Sequence, residues 1–403
     1  MSGVIRPHAL VILLLGSVLG LVMFVENSVW RSSHLWSSVL MALTQVAPFA
    51  GPALALWSAL QAGRIREGRL AEVPSIRPWS IRHALWFFPA LAVALFLPLV
   101  GVGLAWPPGG LEAGMHWSNL LLIVVAQAQL VTMALWGALM GRVLRRVLAL
   151  PCAVLIPYVI TALPEARDNP AWRHLGGMHG ACCFVDSQVA LPAIVIPLVF
   201  HVLLALALLL LFAHPRRTMA LLLVGPVVAA SAVLHQATGR ITDVDGQQVR
   251  PTTELVCSGT TPRVCLWPEQ ASQRPHIDMA LARLNPVLQQ AGWPLPDEIS
   301  AARSAVARYE MPPGAQTNSD TAMATVASIV VPRFPACATS SNWTFPEVMG
   351  DLAAWLHVQA DLPPSPPVSA TLAAVLQRPL PQQHAWFRAN MAQREQCGVP
   401  VVK

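Results

Sequence analysis

Two cysteines stand eight positions apart in ELVCSGTTPRVCLWPE, Glu254 to Glu269, with a Gly and a Pro between them. Thiols at that spacing across turn-forming residues can close a small disulfide loop, and LVC and RVCLW read as two short β stretches meeting across it. In the chain-entropy picture such a loop removes about 2.5 kcal/mol of unfolded-state freedom. Cys337 and Cys397 would be the complementary pair, although four cysteines allow three pairings. A second concentration of ligating side chains is HLGGMHGACC, His174 to Cys183. Zinc accepts both His and Cys, but the spacing fits no standard finger and the glycines suggest a flexible loop. Bridging by Cys182 and Cys183 is the expected role, and no metal is expected.

Hydrolytic chemistry finds little to work with. No His is followed by Glu, so the metalloprotease His-Glu-x-x-His is absent. GSVLG, Gly16 to Gly20, places Ser17 one position too early for a nucleophile elbow. His276, Asp278, Glu310 and His357 supply acid and base types without a recognisable spacing, and read as solvated surface. The only lysine is Lys403, so a phosphate-binding loop or a Schiff base has no lysine to use. No enzymatic activity and no cofactor are expected.

The elements that carry these residues are set by hydropathy. The chain has 403 residues, 55% apolar and 11% charged, where an ordinary soluble domain carries roughly 25% charge. Apolar runs fill residues 8 to 236, and the remainder reads as a Pro-rich globular segment. The predicted organisation is a transmembrane domain over 1–236 and a mainly helical domain over 237–403. Crossing the hydrocarbon takes about 20 apolar residues. Segments His8–Val25, Trp36–Ala62, Ala84–Trp106, Trp117–Met140, Val147–Leu163, Val189–Ala213 and Met219–His235 qualify or nearly do, the fifth and seventh being short. The fold class is therefore an all-α polytopic membrane protein of six to seven transmembrane helices, followed by a mainly α-helical extracytoplasmic domain with a small disulfide-bracketed β turn. No small-x-small site follows Val25, so the first run is expected to stay as an anchor.

Arginine sets the orientation. Arg64, Arg66, Arg69, Arg77 and Arg82 lie between the second and third segments, Arg142, Arg145 and Arg146 between the next pair, and Arg216 and Arg217 before the last. Positive loops stay inside, which puts the N-terminus in the cytoplasm and, after seven crossings, the C-terminal domain outside. Six of the seven cysteines then fall on the oxidising side, with Cys152 inside a span. Arg in place of Lys suggests a GC-rich bacterium, so the expected location is a bacterial plasma membrane. The formal charge of +6 is a topology signal. No basic stripe marks the soluble domain, and nucleic acid is not an expected partner.

Beyond the turn, helices are expected at Ile277–Ala291, Ile299–Tyr309, Thr321–Val331, Phe345–Ala360, Val368–Leu376 and Gln382–Gln396. Inside the spans the polar residues are Gln45, Gln127, Gln129, His201 and His235. The spans hold no carboxylate, which disfavours a proton- or sodium-coupled carrier. Gln45, Gln127, Gln129 and His201 are candidates for a substrate path, with interhelical hydrogen bonding as the plainer role. RIREGRLAEVPSIRPWSIRH, Arg64 to His83, starts amphipathic, with Ile65, Leu70 and Val73 among charges. It reads as a positive loop on anionic head groups or as a docking helix for a cytoplasmic partner.

This layout resembles the membrane subunits of ABC exporters of the ABC-2 kind, in the form common in actinobacteria. The resemblance is carried by the cytoplasmic segment between the second and third spans, and by a last span followed by an extracytoplasmic domain. The start of that domain looks like Cys257-Ser258-Gly259, Arg263-Val264-Cys265 and Trp267-Pro268-Glu269, and its final helix like QQHAWFRANMAQREQC, Gln382 to Cys397. It implies a permease-like subunit that relies on a separate cytoplasmic ABC ATPase and pairs with a second membrane subunit, identical or not. It also implies that Arg64, Arg66, Glu67, Arg69, Glu72 and Arg77 belong to the segment that meets the ATPase. The rival expectation is a membrane-anchored receptor or immunity-type protein whose external domain binds a ligand or a secreted peptide.

Overall fold

A backbone surrounded by lipid must satisfy its own N–H and C=O groups, so apolar runs of membrane length fold as helices. The computed structural model describes residues 7–26, 35–67, 79–106, 117–165, 170–177, 183, 185–213, 217–239, 241, 246–302, 309, 319–331, 346–362 and 368–395. The chain divides into two compact units, Met1–Gln248 and Val249–Lys403.

The first unit is a helical membrane bundle. Its elements are α1 (Pro7–Glu26), α2 (Trp36–Ala42), a 3-10 turn (Leu43–Val46), α3 (Ala47–Glu67), α4 (Trp79–Leu104), α5 (Trp117–Val143), α6 (Arg146–Glu165), α7 (Pro170–Gly176), β1 (Ser187–Val189), α8 (Leu191–Ala213), α9 (Arg217–Thr238) and β2 (Gln247–Val249). Four stretches are long and apolar enough to cross a membrane: Trp36–Arg66, Trp117–Val143, Arg146–Leu163 and Leu191–Phe212. Leu10–Glu26, Phe88–Leu104 and Val227–Thr238 are shorter apolar helices. The 3-10 turn has a local cause. Pro48 has no N–H to give the carbonyl of Thr44, so the ladder tightens there, and the Thr44 hydroxyl bonds back to the Met41 carbonyl at 2.8 Å.

The helix α2–α3 is the hub. Its apolar window is 83% buried, against 22% for α6, and α1, α4, α5 and α6 all pack on it. Small residues make this possible, because lipid gives no hydrophobic drive and association depends on close packing. A Cβ at Gly137 would lie 1.9 Å from the Ala55 carbonyl oxygen, and one at Gly141 2.2 Å from that of Ala59. Backbone thus meets backbone between α5 and α3. Likewise a Cβ at Gly16 would lie 2.3 Å from the Ala53 methyl, and one at Gly20 3.1 Å from Val46. GSVLG is therefore a packing face of α1. At one end of the hub, Trp36 and Trp106 meet edge to face with centroids 5.0 Å apart.

The second unit begins with a three-stranded sheet, β3 (Val256–Ser258), β4 (Arg263–Leu266) and β5 (Glu298–Ser300). β3 runs antiparallel to β4 with Cys257 opposite Cys265. β5 runs parallel to β4, Val264 facing Ile299. Around it lie α10 (Arg274–Ala291), α11 (Ser319–Val330), α12 (Pro346–Gln359), α13 (Ala370–Leu376) and α14 (Leu380–Glu395). Helix α10 buries Ile277, Ala280, Leu281, Leu284 and Leu288 and ends at Gly292, whose φ of 68° suits a residue without Cβ. One expectation is corrected: the stretch opening at Ile299 starts as a strand. Ile299 and Ser300 are buried and Glu298 is exposed, and three residues are too few to show a strand period in the sequence. Ser369 caps α13 through the Leu372 N–H at 3.0 Å and donates to Asp351 on α12 at 2.7 Å.

Candidate functional site

The bundle's polar side chains converge on the end of a seven-residue helix, α7. α7 stops at Gly176, and Gly177 turns the chain with a φ of +71°. A helix leaves its last carbonyls unpartnered. Here the Gly176 carbonyl accepts from Gln129 Nε2 on α5 at 2.7 Å and from His201 Nε2 on α8 at 3.0 Å. A carbonyl oxygen only accepts, so Nε2 carries the His201 proton. Thr132 adds a bond from its hydroxyl to the His201 carbonyl at 3.2 Å. Gln129 and His201 are both buried, and among the described residues Gln129 Oε1 and His201 Nδ1 have no hydrogen-bond partner. Gly177 is held by more than its φ: a Cβ there would lie 2.7 Å from Gln129 Nε2 and 2.9 Å from Pro197. The seam between α5 and α8 is thus polar and closed by a short helix latched onto it.

The other path candidates lie elsewhere. Gln127 donates across to the Leu95 carbonyl on α4 at 2.8 Å, and Gln45 sits on the 3-10 turn of the hub, half-buried. The loop expected around HLGGMHGACC begins as the end of α7, with His174 and Leu175 buried. The helix was hidden by its length, seven residues opening at Pro170. Cys183 is disulfide-bonded and exchanges two hydrogen bonds with Ser38, its N–H to Oγ at 2.7 Å and Ser38 Oγ to its carbonyl at 2.9 Å. Cys182 lies outside the described residues. Among the described residues no three metal-ligating side chains gather.

The far end of the hub is basic. α3 continues past Ala62 to Glu67, so Arg64 and Arg66 belong to the helix and Ile65 is buried. Arg66 donates to the Leu144 carbonyl, closing the end of α5. Arg142 stacks over Phe212 of α8, 4.9 Å from the ring centre. Arg69, Glu72 and Arg77 lie outside the described residues. From Ser38 to Arg66 the hub rises about 42 Å at 1.5 Å per residue, against a hydrocarbon core of about 30 Å. A disulfide-bonded cysteine is tied to one end and arginines crowd the other.

In the second unit Cys257 and Cys265 form a disulfide with Cα atoms 4.0 Å apart. Cys337 and Cys397 lie outside the described residues. Arg250 is buried, pairs with Glu254 at 2.8 Å and Glu269 at 3.1 Å, and lies over the Trp267 ring at 4.3 Å. Asp278 pairs with Arg274, His357 is buried in α12, and Glu310 lies outside the described residues. Burial raises the Tyr309 phenol above its usual range, and its hydroxyl donates to Gln273 at 2.9 Å. Partial burial, then the charge of Arg388, holds His384 below the usual imidazole range; its ring meets Trp355 edge-on. Trp355 stacks on Phe387 and donates to Gln383 at 3.0 Å.

No curated protein and no solved structure matches the chain. Residues 264–397, from the second strand of the sheet through the final helix of the second unit, match the family described as a domain of unknown function (DUF7224).

Proposed function

We propose that this chain is the membrane subunit of an export system of the ABC kind, driven by a separate ATPase. The observation that carries this reading is the latched seam: Gln129 and His201 share the Gly176 carbonyl while keeping buried, unfilled polar atoms. Polar atoms without partners are costly at membrane depth, and a route that takes up a polar cargo when α7 lifts accounts for them. Two features agree. The single lysine, Lys403, leaves ATP chemistry to another subunit. The arginine end of the hub, opposite Cys183, supports a cytoplasmic face at residues 64–77 and an extracytoplasmic second unit.

The test is purification of the full chain from its native membrane, with copurifying proteins identified by mass spectrometry. A stoichiometric ATPase carrying a phosphate-binding loop is expected, and lost in Arg69→Glu/Arg77→Glu, a variant that leaves Arg66 and its bond at the end of α5 intact. Recovery of an intact bundle without any ATPase would reject the exporter. A ligand or secreted peptide bound to the second unit would then favour the receptor reading.

A further inference from the structure

A second feature of the arginine end is independent of export and needs only a bilayer. Between α3, α5 and α6 lies a shallow cleft, open on one side. Its floor is apolar and small, Ala59, Leu60, Gly63, Gly141 and Leu150, and its rim carries Arg64 and Arg146. Its enclosed space is about 20 Å³, far below the about 300–1,000 Å³ of small-molecule sites, so an occupant docks a charged group at the rim and keeps its bulk outside.

Charge and surroundings narrow the occupant. Arg64 makes one long bond to Gln61 at 3.4 Å, and Arg145 and Arg146 are exposed. Among the described residues no carboxylate pairs with Arg64, Arg145 or Arg146. The first turn of α6, at Arg146 and Val147, adds helix N–H groups suited to an anion, the Arg145 carbonyl accepting only from Leu148 and Ala149. The cleft lies where candidate membrane spans end. Beside it α6 presents exposed Val147, Leu148 and Leu155, a surface for hydrocarbon chains. We propose that this cleft binds one anionic phospholipid, its phosphate between Arg64 and Arg146 and its acyl chains along the outer face of α6.

Native mass spectrometry of the full-length protein in detergent tests this, with phosphatidylglycerol and phosphatidylcholine as probes. Phosphatidylglycerol should bind more tightly than phosphatidylcholine, and Arg64→Gln/Arg146→Gln should weaken it about thirtyfold. Arg378→Gln, a half-buried arginine of the second unit, should leave it unchanged. If the double variant is not monodisperse, Arg146→Gln alone should cost about fivefold, since its exposed side chain supports no fold contact. Equal binding of the two lipids, unchanged affinity in the variants, or displacement by equimolar inorganic phosphate would overturn the proposal, the last marking a general anion site. Loss of an ATPase partner would leave these results untouched.

Discussion

At the scale of single residues, the sharpest expectations concern groups with no room or no substitute. Alanine at Gly137 or Gly141 drives a methyl into a carbonyl of α3, and overpacking of that kind costs about 1–3 kcal/mol. Each variant should melt earlier in detergent, while Gly103→Ala, with nothing within 4 Å of the new methyl, should not. Arg250→Ala strands buried Glu269 and should cost about 3–5 kcal/mol, read as a lower denaturant midpoint for the second unit in the full chain. His384 shows how sign follows from surroundings. Its folded form holds a proton less readily than the unfolded chain, so the unfolded state gains protons as pH falls below about 6.5. Stability is then lost on the acid side. His384→Gln should flatten the fall in melting temperature between neutral and mildly acid pH; an unchanged slope would contradict the assignment.

At the scale of elements, α7 and the disulfide-closed hairpin make opposite demands. The hairpin is meant to stay shut: Cys257→Ser with Cys265→Ser should lower the stability of the second unit by about 2.5 kcal/mol in the chain-entropy picture, measured by chemical unfolding of the full chain. α7 is the element that the export proposal requires to lift. A side chain at Gly176 meets nothing within 4 Å, so Gly176→Cys in a Cys152→Ser background is a tolerated reporter. Adding Gln129→Leu should speed its reaction with a water-soluble maleimide, and an unaltered rate would show that Gln129 does not hold the latch. Most helix positions in the bundle were readable in advance because the apolar runs are free of charge, whereas α7, seven residues long, was not. Partners were not: Gly16 and Gly20 showed a failed serine motif in one dimension and a packing face in three. Ile299 read as helical because a three-residue strand leaves no period to detect. Gln129 and His201 were legible as polar residues in apolar runs, but their meeting point is a backbone carbonyl, which carries no side-chain signature at all.

At the scale of the whole molecule, two compact units answer to different solvents. The bundle turns apolar side chains outward, as exposed Leu14, Leu15, Phe88 and Phe96 show, while the second unit gathers Trp267, Trp355 and Phe387 inside. Sidedness is the proposal on which both the exporter and the receptor depend. An impermeant thiol probe should label Cys257 and Cys265 in intact cells after reduction, and labelling confined to inverted vesicles would reverse the topology. The junction of α3 with α5 has a mechanical corollary. Side chains yield to pressure by changing rotamer, whereas a carbonyl locked into a helix has nowhere to go. Where Gly137 and Gly141 bear on Ala55 and Ala59, the two helices form a stiff keel with no cushion between its planks. On the export proposal, opening therefore falls to the helices hung around this keel and not to the keel itself.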